Sequence, residues 1–226
     1  MIKIEKLSKT YGLGTVSLSD ISLSVEKGEF VFLVGPTGSG KTTLFRILIR
    51  ELLPTEGSVF IGDWDLVKLP NKKIPHLRKK VGVVFQNLKL LFDRTIFENV
   101  ILPLEVAGVS GIEATKKVEE ALSQVGILHH KDKFPIQLSG GELQRAAIAR
   151  ALVLGPDILL ADEPTGNLDP ATSKEIVKLL EDINNLGTTI IMATHNMEVV
   201  NSMNKRVIAL EKGKLVRDVK KGKYAS

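Results

Sequence analysis

The sequence predicts an α/β protein built on a parallel sheet buried on both faces. Three observations carry this. Phe30-Val31-Phe32-Leu33-Val34, Ile158-Leu159-Leu160-Ala161 and Thr188-Thr189-Ile190-Ile191-Met192-Ala193 are short, largely apolar runs, as strands covered on both sides should be. The last two stop at polar pairs, Asp162-Glu163 and Thr194-His195, and the first runs into a glycine-rich stretch. Between the second and third lies one amphipathic helix, and strand–helix–strand at that spacing implies parallel strands joined by a right-handed crossover.

The elements follow in order. Residues 2–6, 18–25 and 29–34 read as strands, the first by alternation. A helix is expected from Lys41 to about Glu51, ended by Pro54. Residues 87 to 154 read as a helical insertion, with Val118, Ala121, Leu122 and Val125 in one stripe and Leu143, Ala147 and Ala151 in another. The crossover helix has Asp169 as N-cap and Pro170 in its first position. Ile176, Leu179, Leu180 and Ile183 then recur at helical spacing before Gly187. Residues 206–211 and 214–218 flank Lys212-Gly213 as a hairpin. Polar groups gathered at the C-terminal ends of parallel strands mark the ligand crevice of such a sheet.

Composition narrows the function. The chain has 226 residues, 43% of them hydrophobic, enough for one large domain. It has no cysteine, which excludes disulfides and cysteine-ligated metals and fits a reducing cytosol. The N-terminus lacks the apolar block of a signal peptide. No apolar run approaches the ~20 residues needed to cross a bilayer, so a soluble or peripheral protein is expected. The net charge is +5, and Lys72-Lys73, Arg78-Lys79-Lys80 and Lys220-Lys221-Lys223 read as solvated surface. With 5% aromatic residues there are few platforms for stacking bases, which makes nucleic acid an unlikely partner.

Gly35, Gly40, Lys41 and Thr42 match the pattern G-x-x-x-x-G-K-[ST]. The glycines let successive N–H groups of Gly35-Pro36-Thr37-Gly38-Ser39-Gly40 converge on phosphate oxygens, and the following helix adds the positive end of its dipole. Lys41 neutralises the β and γ phosphates, and the Thr42 hydroxyl can ligate Mg²⁺. By chance such a match arises in roughly one chain of this length in a hundred, and here a strand before and a helix after are also expected. Asp162, at the mouth of the sheet, would hold Mg²⁺ through water, and Glu163 would polarise an attacking water. His195, at the same edge, suits a γ-phosphate contact and would help fix Glu163. No metal cluster emerges from the histidines, and His76, His129 and His130 receive no role.

Leu138-Ser139-Gly140-Gly141-Glu142 is a helix capping box with Ser139 as cap, its helix running to about Leu154. The same exposed N-terminus would bind an anion. The glycine-rich loop already cradles the nucleotide of its own chain, so this second element would serve the ATP of another copy.

With these motifs the chain resembles the ATP-binding cassette (ABC) ATPases along essentially its whole length. The resemblance implies an ABC-type P-loop NTPase: a RecA-like parallel core sheet (1–86 and 155–226), an antiparallel β subdomain and a helical subdomain inserted at 87–154. Tyr11 matches the aromatic residue that stacks on adenine. Gly35–Thr42, followed by Thr43, match Walker A, and Gln86 matches the Q-loop glutamine that touches Mg²⁺ and senses the membrane partner. Leu138–Glu142 match the signature, so that Ser139, Gly140 and Gly141 contact nucleotide. Ile158–Asp162 match Walker B, with Glu163 as catalytic acid. Asp169 lies in the D-loop match Asn167-Leu168-Asp169, and His195 matches the switch histidine. Metal contacts are thus expected from Thr42, Gln86 and Asp162, and catalytic roles from Glu163, His195 and Lys41. Asn196, where many relatives carry Asp, and Leu143, where Gln is common, are departures.

Residues 162–169 are similar to the group that contains cell-division, lipoprotein-release and macrolide-export ATPases, and Asp93-Arg94-Thr95, the Pro75-x-Leu77-Arg78 stretch and the tail Arg217-Asp218…Gly222-x-Tyr224 are similar to its cell-division branch in particular. That implies an ATP-driven homodimer, peripheral on the cytoplasmic face of the membrane, acting with the integral membrane protein FtsX to regulate cell-wall hydrolases. An export or lipoprotein-release ATPase shares the same nucleotide chemistry. A nucleic-acid ATPase usually needs coiled-coil, zinc-bearing or tandem-cassette additions that are not seen here.

Overall fold

The computed structural model describes residues 1–224, with Leu13 described through its backbone alone. Two sheets form the frame. The smaller is antiparallel, in the order β2 (Val16–Val25), β1 (Ile2–Thr10), β4 (Glu56–Ile61), β5 (Trp64–Asp65). The larger has the order β10 (Lys214–Val219), β9 (Arg206–Glu211), β3 (Phe30–Val34), β8 (Thr189–Thr194), β7 (Ile158–Asp162), β6 (Val81–Val84). Its strands are parallel from β9 to β6, and β10 returns antiparallel as the second arm of the C-terminal hairpin.

Side-chain alternation divides the core. On β3, Phe30, Phe32 and Val34 face one apolar cluster and Val31 and Leu33 the other. Strand β7 divides likewise, with Leu159 and Ala161 opposite Ile158 and Leu160, and β8 with Ile190 and Met192 opposite Ile191 and Ala193. One cluster is shared with α3 (Ile96–Val106), α4 (Gly111–Gln124), α5 (Gly140–Leu152), α6 (Pro170–Asn185) and α7 (Met197–Ser202). The other packs the antiparallel sheet, α1 (Lys41–Leu48) and Leu77 of α2 (Ile74–Lys80) against the opposite face. Both faces are dry, which is why these strands read as apolar runs.

Helix α1 is shorter than the expected span to about Glu51. It ends at Leu48 because Arg50 turns left-handed (φ 56°), letting the N–H of Arg50 reach the carbonyl of Ile47 and that of Glu51 the carbonyl of Arg46. This is the paired C-terminal closure usually built on glycine. Helices α3, α4 and α5 all lie between β6 and β7. Helix α5 departs from the expected stripe of Leu143, Ala147 and Ala151. Gln144, Ala146, Ile148, Ala149 and Leu152 are buried with Ala147, while Leu143 and Ala151 are half-buried, because α5 runs between α3, α4, α6 and β6. Its C-terminal half approaches β6 so closely that a Cβ on Gly82 would lie 2.5 Å from the carbonyl oxygen of Ala151. Asn99 on α3 is fully buried and holds the preceding loop, donating from Nδ2 to the carbonyls of Leu91, Arg94 and Thr95 and accepting from the N–H of Leu91. Among the described residues no helix is long and apolar enough to cross a membrane.

Candidate active site

Because β3, β8, β7 and β6 are parallel, their C-terminal ends share one edge. Val34 pairs with Thr194, Asp162 with Ala193 and Val84 with Ala161. The segments leaving those ends, residues 35–40, Asp162-Glu163, Thr194-His195 and Phe85-Gln86, therefore converge. One cavity is lined by Thr37 to Thr43, Gln86, Asp162, Glu163 and His195, together with Ser17 of β2.

The loop into α1 tolerates little but glycine at two points. A Cβ on Gly35 (φ 147°) would fall 2.1 Å from the carbonyl oxygen of Leu210, and one on Gly40 (φ 105°) 2.7 Å from that of Ser17. Gly40 caps α1 with no side chain, so the first-turn N–H groups are left to face the cavity. Lys41 is buried in the loop, its Nζ donating to the carbonyls of Gly35 (2.7 Å) and Pro36 (3.2 Å). Burial lowers its pKa, against the opposing pull of Glu163 and Asp162. Among the described residues the buried Ser39 hydroxyl has no hydrogen-bond partner. Thr43 takes a hydrogen bond from the Ser17 hydroxyl (2.8 Å), and the Tyr11 hydroxyl lies 3.4 Å from the Thr43 hydroxyl, which sets the Tyr11 ring beside the cavity rather than within its lining.

Opposite the loop, the Thr42 hydroxyl donates to Asp162 Oδ2 at 3.0 Å. Glu163 follows the strand in a left-handed conformation (φ 49°), costly for a non-glycine residue. Its N–H bonds to the carbonyl of Ala193 and its carbonyl accepts from Gly166. Its carboxylate meets His195 twice, through the His195 N–H (3.3 Å) and Nδ1 (2.9 Å). Asn196 caps α7 by accepting from Val199, a task an aspartate would also perform. A second cavity shares Thr42, Gln86 and Asp162 with the first and extends to Leu88, Phe92, Leu143 and Asn167.

Burial pushes the Asp162 carboxyl up, opposed by the Thr42 hydrogen bond, reinforced by Glu163 and opposed by Lys41. A raised carboxyl binds its proton more tightly in the native state than in the unfolded chain. The stability it contributes is present at low pH and lost as pH rises through the raised value. Asp162→Asn keeps an acceptor for Thr42. It is expected to raise Tm at pH 7 without nucleotide, the gain shrinking as pH falls toward the usual carboxylate range of about 4 and the parent carboxyl takes up its proton. Thermal melts across that range check this, and an Asn variant less stable than the parent at pH 7 would contradict it.

Ser139, Gly140, Gly141 and Asp169 stand outside this cavity. Ser139 caps α5, its hydroxyl and N–H both donating to Glu142 Oε2 at 2.7 Å. Those bonds, with His130 Nε2 at 2.8 Å, hold the Glu142 carboxyl down to about 2. Gly140 and Gly141 abut Leu168 and Thr172. Asp169 caps α6, accepting from the N–H groups of Ala171 and Thr172. Sequence reasoning passes over Ser17, which only the crossing of β2 over α1 brings in, and His130, whose partner Glu142 lies twelve residues further along the chain.

The ABC transporter family model matches residues 18–166. The cell division ATP-binding protein FtsE of Bacillus subtilis (strain 168) is 51% identical over 226 residues, spanning 100% of this chain and 99% of that protein. FtsE of Mycobacterium tuberculosis (strain ATCC 25618 / H37Rv) is 47% identical over 99% of this chain and 98% of its own length. Among solved structures, a dimeric post-hydrolysis state of an ATP-binding cassette bound to ADP and Pi superposes with a TM-score of 0.87 at 38% identity, covering 97% of this chain and 98% of that one. A component of the ABC transporter complex cbiONQ from Clostridium perfringens gives 0.89 at 34% identity, over 97% and 88% of the two chains. The fold is thus that of ABC cassettes, one of which is dimeric in two solved structures. The chain is an ATPase of the ABC transporter family and groups within it with the cell-division ATP-binding proteins FtsE.

Proposed function

We propose that this chain is the ATP-hydrolysing subunit of a membrane complex in bacterial cell division, and that two copies close head to tail over two ATP molecules. One observation carries the dimer: Ser139, Gly140 and Gly141 lie off the cavity that gathers the phosphate loop, Asp162, Glu163 and His195. Each copy therefore has a nucleotide-facing element with no nucleotide of its own to face. In this reading Gly35–Thr43 hold the phosphates, Tyr11 stacks on adenine, and Ser139 and Gly141 meet the γ-phosphate held by the other copy, with Gly140 and Asp169 lining that interface. Residues 87–154 form the inserted helical unit, and 1–86 with 155–226 the nucleotide-binding core.

The donor set suits Mg²⁺. Thr42, Asp162 and Gln86 offer oxygen ligands at one wall, and among the described residues no group of three or more acidic or histidine side chains forms a full metal cage. When bound, Mg²⁺ would neutralise charge on the phosphates. Glu163 takes a proton from the attacking water and His195 holds the Glu163 carboxylate in place. Lys41 exchanges its two loop carbonyls for phosphate oxygens. Because ATP binds the closed dimer better, it shifts the equilibrium toward closure, and hydrolysis reopens it.

The FtsE relatives support FtsX as the integral membrane partner, a peripheral place on the cytoplasmic face of the membrane, and regulation of cell-wall hydrolases as the output. The test is capture with tagged Glu163→Gln and ATP from solubilised membranes of the native host, read by mass spectrometry. A few-span membrane protein with a large extracytoplasmic segment is the expected catch. Recovery of an efflux or lipoprotein-release subunit instead would move the chain to transport.

A further inference from the structure

The segment that leaves Gln86 is held from two sides, by a half-buried arginine and a fully buried asparagine. Arg150 of α5 donates from Nη2 to the carbonyl of Leu88 (2.5 Å) and from Nη1 to that of Lys89 (2.6 Å). Among the described residues no carboxylate pairs with this guanidinium, so its role is not charge neutralisation. A planar fork on two successive carbonyls fixes angle as well as distance. Lys89 itself is left-handed (φ 55°) with its side chain exposed, a conformation that persists only where surroundings impose it. Farther on, the four hydrogen bonds of Asn99 pin Leu91 to Thr95. Residues 88–95 therefore cannot slide as a free loop.

The two ends of this arrangement are both nucleotide-facing. Only Asn87 separates Gln86, which lines the phosphate cavity, from Leu88. Arg150 stands near the C-terminal end of the helix whose N-cap is Ser139. A shift of Gln86 thus reaches α5 within two residues, through one side chain.

We propose that Arg150 is a positioning residue that links the Gln86 segment to α5, so that the contact of Gln86 with a chain's own ATP and the alignment of Ser139 toward the other copy's ATP are set together. This rests on the reading of Ser139 given above.

The experiment uses the full chain in the Glu163→Gln background and measures two quantities: ATP binding by titration with a fluorescent ATP analogue, and ATP-driven dimerisation by sedimentation. Arg150→Lys keeps the charge and loses the fork. Arg150→Gln keeps a planar donor but loses the charge and the two-pronged fork, and serves where the first variant folds poorly. With Glu163 restored, the same substitutions are read by kcat and KM. Expected in both variants are ATP affinity and KM within about twofold of the parent, dimerisation at least about tenfold weaker, and kcat reduced to match. Unchanged dimerisation overturns the proposal. So does a parallel fall of ATP affinity, Tm and dimerisation, which would make Arg150 merely structural. A Glu163→Gln parent that stays monomeric with ATP overturns the reading of Ser139 first, and this proposal with it.

Discussion

Glu163→Gln is expected to lower kcat by about 100-fold or more, the scale of losing a positioned general base, while ATP affinity stays near that of the parent. The substitution is nearly isosteric. It keeps an oxygen to accept from the N–H of His195 and leaves the backbone bonds to Ala193 and Gly166 untouched, so the left-handed turn survives. What is lost is the carboxylate that accepts a proton from water. ATP then stays intact in a closed dimer, and a monomer peak in gel filtration without nucleotide should give way to a stable dimer peak with ATP. Steady-state phosphate release and light scattering check both parts. Hydrolysis at the parent's rate would sink the assignment of Glu163.

Lys41→Ala is the second large effect, and it acts on binding. Each hydrogen bond from a charged donor is worth about 1.5–3 kcal/mol, so losing contacts to two phosphate oxygens should weaken ATP at least about 100-fold. The nucleotide-free protein suffers too. The carbonyls of Gly35 and Pro36 lose their donor, and the already raised Asp162 carboxyl loses a cation that opposes the rise, so it goes up further. Lys41→Arg should not restore binding, because a planar fork does not fit where one compact ammonium reaches two carbonyls of the same turn. Calorimetric titration of each variant with ATP decides this. An Ala variant within about fivefold of the parent, less than 1 kcal/mol, would show that the backbone N–H groups carry the phosphate alone.

Much of this was legible because it lies in local patterns. The runs at β3, β7 and β8 announce strands buried twice over, and the alternation of Phe30, Val31, Phe32 and Leu33 between two clusters is the reason they read as unbroken. Asp169 and Ser139 announce their helices because a capping side chain bonds within its own turn. What escapes is set by distance along the chain. Ser17 enters the cavity by virtue of a strand crossing. Asn99, in a stretch read only as helical, gives its side chain to a loop that precedes its own helix. The burial of α5 on nearly every side reflects four neighbours, three of them distant in sequence. The early end of α1 depends on an arginine taking a conformation that composition assigns to glycine.

The absent side chain of Gly82 has a mechanical meaning. There the carbonyl of Ala151 sits against the sheet with no room for a methyl group, while the other end of the same helix carries Ser139 at the surface. Twelve residues of helix separate the two points, a rod of about 18 Å. With one end seated as a fulcrum, a tilt of about 10° swings the other end through about 3 Å, the length of one hydrogen bond. Small rearrangements near the sheet are thus enough to make or break a contact with a phosphate on a neighbouring molecule, and a methyl group at position 82 would lift the fulcrum and detune the throw.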